Sequence, residues 1–398
     1  NNSANAQTVN IPLTLGAAQS VNAIGAGTLN ISGTVNNGGN LLTADGANSS
    51  SFSGDISGGG GFTKAGAGTA TLSGNNSYGG ATAVNAGTLA VSGGSAIPDG
   101  SAVTLANVSG VTLSVGASET AGSLAGGGAT GGTVALGANN LTVGGGTTYS
   151  GTVTGTGKLI KAGAGTLTLN TAGAIGSGFT TRIEGGTVDF NRGGSSLVGI
   201  IGSGNSIELA GGTLQLSASV QANFAVVFDG LNVVSNSTFS FNRTGTSSGQ
   251  SPVITAPLNF HNNANLSFAY NAQITGGTAS FNGAANTLFS DGTLTLGSFG
   301  ITITNAIGES GGSRSLTKAG PGTLNLLAVN TYSGNTTNLA GVISLNAAST
   351  FGDGTGTLVL AGGDVLANNT RAGAPISNPV SLIASGTNTI YGDSTLPA

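Results

Sequence analysis

The sequence predicts an all-β fold: a right-handed parallel β-helix, or β-solenoid, with about 20 residues per turn. Three observations carry that reading. The phrase Lys-Ala-Gly-(Ala/Pro)-Gly-Thr occurs three times, at 64–69, 161–166 and 318–323. Apolar and small polar residues alternate with period two, the strand signature. Helix is nearly excluded, because 74 of 398 residues are Gly and each Gly inside a helix costs ~1 kcal/mol relative to Ala.

The strands follow in chain order. Segments 69–72, 166–169, 187–190, 213–216 and 293–296 all begin with Thr after a Gly-rich step. Gly supplies the turn conformation that β-branched residues resist. Thr then opens a strand whose alternate side chains face inward. Gly68-Thr69 recurs nineteen residues on as Gly87-Thr88, and Gly165-Thr166 recurs twenty-one on as Gly186-Thr187. In a solenoid, residues one turn apart lie above one another at about 4.8 Å.

Segment 224–299 holds nine of the 14 Phe, and Phe239, Phe260 and Phe281 are spaced by twenty-one residues, as are Phe268 and Phe289. That spacing predicts an internal ladder of Phe239, Phe260 and Phe281. The chain 1–398 reads as one continuous solenoid of roughly 18–20 turns, a rod of about 90 Å. Asn and Thr side chains are expected to hydrogen-bond from turn to turn, as in cross-β ladders.

Composition excludes several functions. Charged residues are 6% of the chain, with 13 acids and 9 Lys and Arg and a net charge of −4. No basic patch is available for a phosphate backbone, so nucleic acid is not expected as a partner. No apolar run approaches the length of a membrane helix. Cys is absent, which removes disulfides and thiolate metal sites. Met is absent even at position 1, so the chain is expected to be a processed product or an excised segment.

Residues 64–89 and 318–343 align without gaps, sharing Lys, a Gly pair, Thr, an Asn (Asn76, Asn330), a Tyr (Tyr78, Tyr332) and a closing Gly (Gly87, Gly341). This unit resembles the passenger-associated transport repeat of bacterial autotransporters, T-K-x-G-x-G-T-L-x-L-x-G-x-N-x-Y-x-G-x-T-x-V-x-x-G-T-L. The copies lie at 63–89, 160–188 and 317–343. The second departs, with Ile175 in place of Tyr and two extra residues before Gly186. The resemblance implies a right-handed β-helical passenger exported to the outer surface. The family's translocator barrel has no counterpart here: the amphipathic strands with aromatic girdles are missing.

Candidate chemistry is sparse. His261, the only His, would have to serve any Ser-His-Asp arrangement; it reads as a solvated strand or loop residue. Arg182, Glu184, Asp189 and Arg192 form the densest charged cluster, read as surface pairs. Glu184, Glu208 and Asp229 are the acids that a polysaccharide lyase or glycoside hydrolase on this fold would bring together. Lys64, Lys161 and Lys318 read as solvated turn residues. Asp45-Gly46, Asp99-Gly100, Asp291-Gly292 and Asp353-Gly354 read as turns rather than calcium loops.

No catalytic, cofactor or metal site is therefore expected. The expected function is structural: an extracellular rod, stalk or fibre subunit serving adhesion or assembly. Expected partners are further copies joined end to end, or a host or neighbouring-cell surface or glycan. A membrane link would run only through a translocator or anchor outside this chain. A glycan-binding variant of that reading would place Tyr78, Tyr149 and Tyr332 on the surface.

Overall fold

The computed structural model describes residues 1–170, 176–192, 204–218, 225–243, 252–270, 278–346, 349–367, 376–383 and 387–391. Among these the regular structure is all strand, without helix, and every strand pairing within each unit is parallel. The described residues make about 15 turns of about 22 residues each. That is fewer turns than expected, because many turns carry longer corners than the repeat motif does. The chain divides into two compact units, Asn1–Asn191 and Arg192–Ala398.

In the first unit one face is a ladder of eight parallel strands, from Gln7–Val9 through Thr69–Leu72 and Thr88–Val91 to Val153–Thr154. Ile31, Phe52, Leu72, Val91 and Val115 stand above one another in register, each one turn from the next. All five are buried, while Thr71, Ala90 and Ser114 face out. Alternation places one face of every strand in a core shared by neighbouring turns.

Corners demand glycine where backbones nearly touch. Gly87 has φ +62, and a Cβ there would lie 2.4 Å from the Gly68 carbonyl oxygen. Gly341, the same position in the third repeat, has φ +68 and meets Gly322 and Pro321 carbonyls at 2.5 Å.

The second unit has the same build, with an eight-strand ladder from Ala225–Val227 to Ile390–Tyr391. Its turns across the Phe-rich segment are longer, and this overturns the expected Phe ladder. Leu214, Phe239, Phe268 and Leu296 are the vertical neighbours, one turn apart at each step. Phe260 stands between Val233 and Leu288 on a second face, and Phe281 between Ile254 and Ile303 on a third. The interval from Phe239 to Phe260 falls short of a full turn here, so it moves to another face instead of closing on itself. The rings still meet: Phe239 contacts Phe268 at 6.0 Å along the ladder and Phe281 at 6.0 Å across the core. Phe289 does not continue the ladder; it is 43% exposed. Phe224 lies outside the described residues.

Candidate functional site

The repeats are where the sequence is most specific, and the structure shows what their residues do. Most turns have three strands. In the first and third repeats the third strand is absent, and an Asn-x-Tyr stretch joins Thr69–Leu72 to Thr82–Val84 and Thr323–Leu326 to Thr336–Asn338. The Asn side chain substitutes for the missing ladder. The Ile56 amide donates to Asn76 Oδ1 at 2.7 Å, and Asn76 Nδ2 donates to the Ala96 carbonyl at 2.7 Å. Asn330 does the same between the Ile307 amide, at 2.9 Å, and the Thr350 carbonyl, at 2.6 Å. One side chain thus clips the turn before to the turn after.

The Tyr closes the gap from inside. Tyr78 and Thr82 hydroxyls meet at 2.7 Å, and Tyr332 and Thr336 at 2.6 Å. Outside the repeats, the Tyr149 hydroxyl lies 2.5 and 3.0 Å from the Gly132 and Thr152 carbonyls, which share its one proton. All three tyrosines are buried, and burial holds their pKa well above the ordinary phenol value. The surface placement that a tyrosine-lined glycan face requires is therefore not found.

The motif lysines correct the expectation of solvated turn residues. Lys64, Lys161 and Lys318 are all buried. Each occupies an inward register position, Lys64 between Ala44 and Val84, for example. Glycine corners leave carbonyls off the ladder, and an ammonium with three donors satisfies them. Lys161 Nζ shares its three protons among the Gly144, Ala162, Gly163 and Ala164 carbonyls, at 3.0, 2.5, 2.8 and 3.3 Å. Lys318 Nζ reaches Gly320 and Ala340 at 2.6 and 2.5 Å, and Lys64 Nζ reaches Gly66 and Ala86. Burial lowers the pKa of each, that of Lys318 to about 8; at Lys64 the nearby Asp45 opposes the shift.

Glu119 is a buried group not anticipated from the sequence. Its Oε2 accepts from the Ala96 amide at 3.0 Å, so it grips the same corner that Asn76 holds from the other side. Burial pushes its pKa up to about 7, against the pull of backbone amides. The signal was parity: Glu119 stands two positions before the inward Ala121.

The remaining candidates do not converge. Arg182 and Glu184 form an ion pair at 2.7 Å on the outer face. Asp189 is buried on its strand; the side chain of Arg192 and all of Ile175 lie outside the described residues. Glu208 faces out, and Asp229 accepts from the Gly204 amide at 2.7 Å. Glu208 and Asp229 are offset by three strand positions and one turn, which separates their backbones by about 11 Å. His261 is not a free solvated residue. Its ring stacks on Phe289 with centroids 4.6 Å apart and planes 7° apart, and burial lowers its pKa against the opposing charge of Glu208. No group of three His, Cys, Asp or Glu side chains able to hold a metal ion occurs among the described residues.

Outward positions differ between copies with the same skeleton. Exposed Ser73, Asn75 and Asn85 of the first repeat correspond to exposed Leu327, Val329 and Leu339 of the third. Turn-to-turn bonds between Asn and Thr side chains form as expected, at half-buried positions on the outward side of the strands, including Asn259 to Asn232 at 3.0 Å and Asn325 to Thr302 at 3.2 Å.

Comparison with known proteins agrees with this geometry. The family model of the passenger-associated transport repeat matches residues 62–91, 159–189 and 316–345. A segment of 156 residues, 38% of the chain, is 33% identical to the adhesin BmaC autotransporter of Brucella suis biovar 1 (strain 1330). The matched stretch spans only 4% of that much longer protein. No solved structure matches. The chain is a parallel β-solenoid that carries three passenger-associated transport repeats.

Proposed function

We propose that this chain is a non-catalytic stretch of an exported, adhesin-like passenger on a bacterial outer surface, with the solenoid as scaffold and its outward side chains as the adhesive surface. One observation carries the reading. The motif residues Lys, Asn, Tyr and Thr are spent on the interior, while outward positions over the same skeleton change from polar in the first repeat to apolar in the third. A frame shared by the first and third copies under a surface that differs between them suits recognition better than chemistry. The similarity to a named adhesin supports the same choice.

The test is retention of beads coated with the purified chain on cultured animal cells and on bacterial lawns. Retention above a charge-matched control is expected, with no release of reducing ends from neutral or anionic polysaccharides. Absence of retention on both surfaces would contradict the adhesive reading. Sustained polysaccharide cleavage lost in Glu208→Ala or Asp229→Ala would replace it with the hydrolase or lyase reading. Fibre formation by end-to-end association belongs to the same proposal; electron microscopy showing only separate particles at high concentration would remove it.

A further inference from the structure

A polar depression of about 370 Å³ lies on the outer face of the first unit, lined by Ser73, Gly74, Asn75, Gly93, Gly94 and Ser95. Its floor is glycine for a steric reason. A Cβ on Gly74 would lie 2.5 Å from the Gly54 carbonyl, and one on Gly93 would lie 2.8 Å from the Ser73 carbonyl. Its rim is held from beneath by buried groups. The Asn76 amide donates to the Ser95 carbonyl at 3.0 Å, Asn76 Nδ2 holds the Ala96 carbonyl, and Glu119 holds the Ala96 amide. The side chains of Ser73, Asn75 and Ser95 make no hydrogen bond among the described residues, so the rim is free to bind.

We propose that this depression is a subsite for one neutral saccharide unit of a longer glycan. The inference rests on the adhesive reading and names its ligand class. Two hydroxyls and a carboxamide, facing one cleft with both donors and acceptors free, match the hydroxyls of a pyranose. The lining holds no Lys or Arg to attract an anion, and Asp55, which accepts from the Asn75 amide at 2.7 Å, repels one. Every lining residue is Ser, Asn or Gly, so an apolar peptide finds no apolar side chain to pack against. The third repeat shows that the frame does not itself require polar rims, because Leu327 and Val329 occupy the places of Ser73 and Asn75.

The test uses the whole chain, titrated calorimetrically with cellotriose, maltotriose, triacetylchitotriose and trigalacturonate. Saturable binding of at least one neutral trisaccharide is expected, and none of trigalacturonate. Gly94 is the one floor position with room for a side chain, its Cβ meeting only the Ser118 carbonyl at 3.5 Å. Gly94→Trp therefore fills the depression and is expected to abolish binding. Ser73→Ala with Asn75→Ala is expected to weaken it about tenfold or more, through two lost hydrogen bonds; this pair decides if Gly94→Trp fails to fold. No binding of any neutral trisaccharide, binding unchanged in the variants, or equal binding of trigalacturonate would overturn the subsite. Bead retention that persists in Gly94→Trp would remove the subsite and leave the adhesive reading standing; trisaccharide binding without bead retention would do the reverse.

Discussion

Glu119 shows how few charges this interior accepts and on what terms. Its carboxyl is buried against backbone amides, with Tyr78 and the exposed Asp99 as nearby titratable groups, and its pKa is raised from 4.5 to about 7. The folded state therefore keeps a proton that the unfolded chain releases between those values. Stability is present in full below pH 4.5 and is lost as pH rises through 7. Urea denaturation of the first unit is expected to show stability falling between pH 5 and pH 8, and Glu119→Gln is expected to flatten that slope. A slope that persists in the variant would assign it to another group. The buried lysines illustrate why residue-scale roles escaped the sequence. A Lys before a Gly corner reads as solvated from composition alone. Its inward parity and the stranded corner carbonyls become visible only when neighbouring turns are superposed.

At the scale of the element, local pattern located strands well, because Gly-Thr starts and period-two alternation are written within a few residues. Strands 69–72, 166–169 and 213–216 fall where their pattern put them. Register across turns was legible only where turns are short. Near the first repeat one turn runs from Phe52 to Leu72 and the next from Leu72 to Val91, whereas in the Phe-rich segment a single turn runs from Phe239 to Phe268. Longer corners shift the register without altering the strand pattern, so equal spacing of Phe239, Phe260 and Phe281 pointed to the wrong ladder. Corner glycines give an element-scale prediction. Gly87→Ala combines positive φ with a backbone clash and is expected to cost about 1–3 kcal/mol in urea unfolding. Gly94→Ala, whose Cβ meets only the Ser118 carbonyl at an ordinary contact distance of 3.5 Å, is expected to stay within about 0.5 kcal/mol. Equal effects at the two sites would mean that the corners are less tightly stacked than described.

For the whole molecule, fold class and repeat type were legible because a solenoid repeats its physics every turn. The role of the outer surface was not, since outward positions carry no packing constraint and differ between copies. Everything proposed for that surface depends on turns that lie in parallel register. Absence of Cys makes the register directly measurable by pairwise cysteine substitution and oxidation. Thr71 faces out directly opposite Ala90 on the next turn, and Ser114 lies one turn beyond. Adjacent parallel strands are about 4.8 Å apart, within disulfide range, whereas two turns, at about 9.6 Å, are beyond it. Thr71→Cys with Ala90→Cys is expected to cross-link on oxidation, while Thr71→Cys with Ser114→Cys remains reduced. Failure of the first pair, or equal cross-linking of the second, would contradict the stacked parallel solenoid.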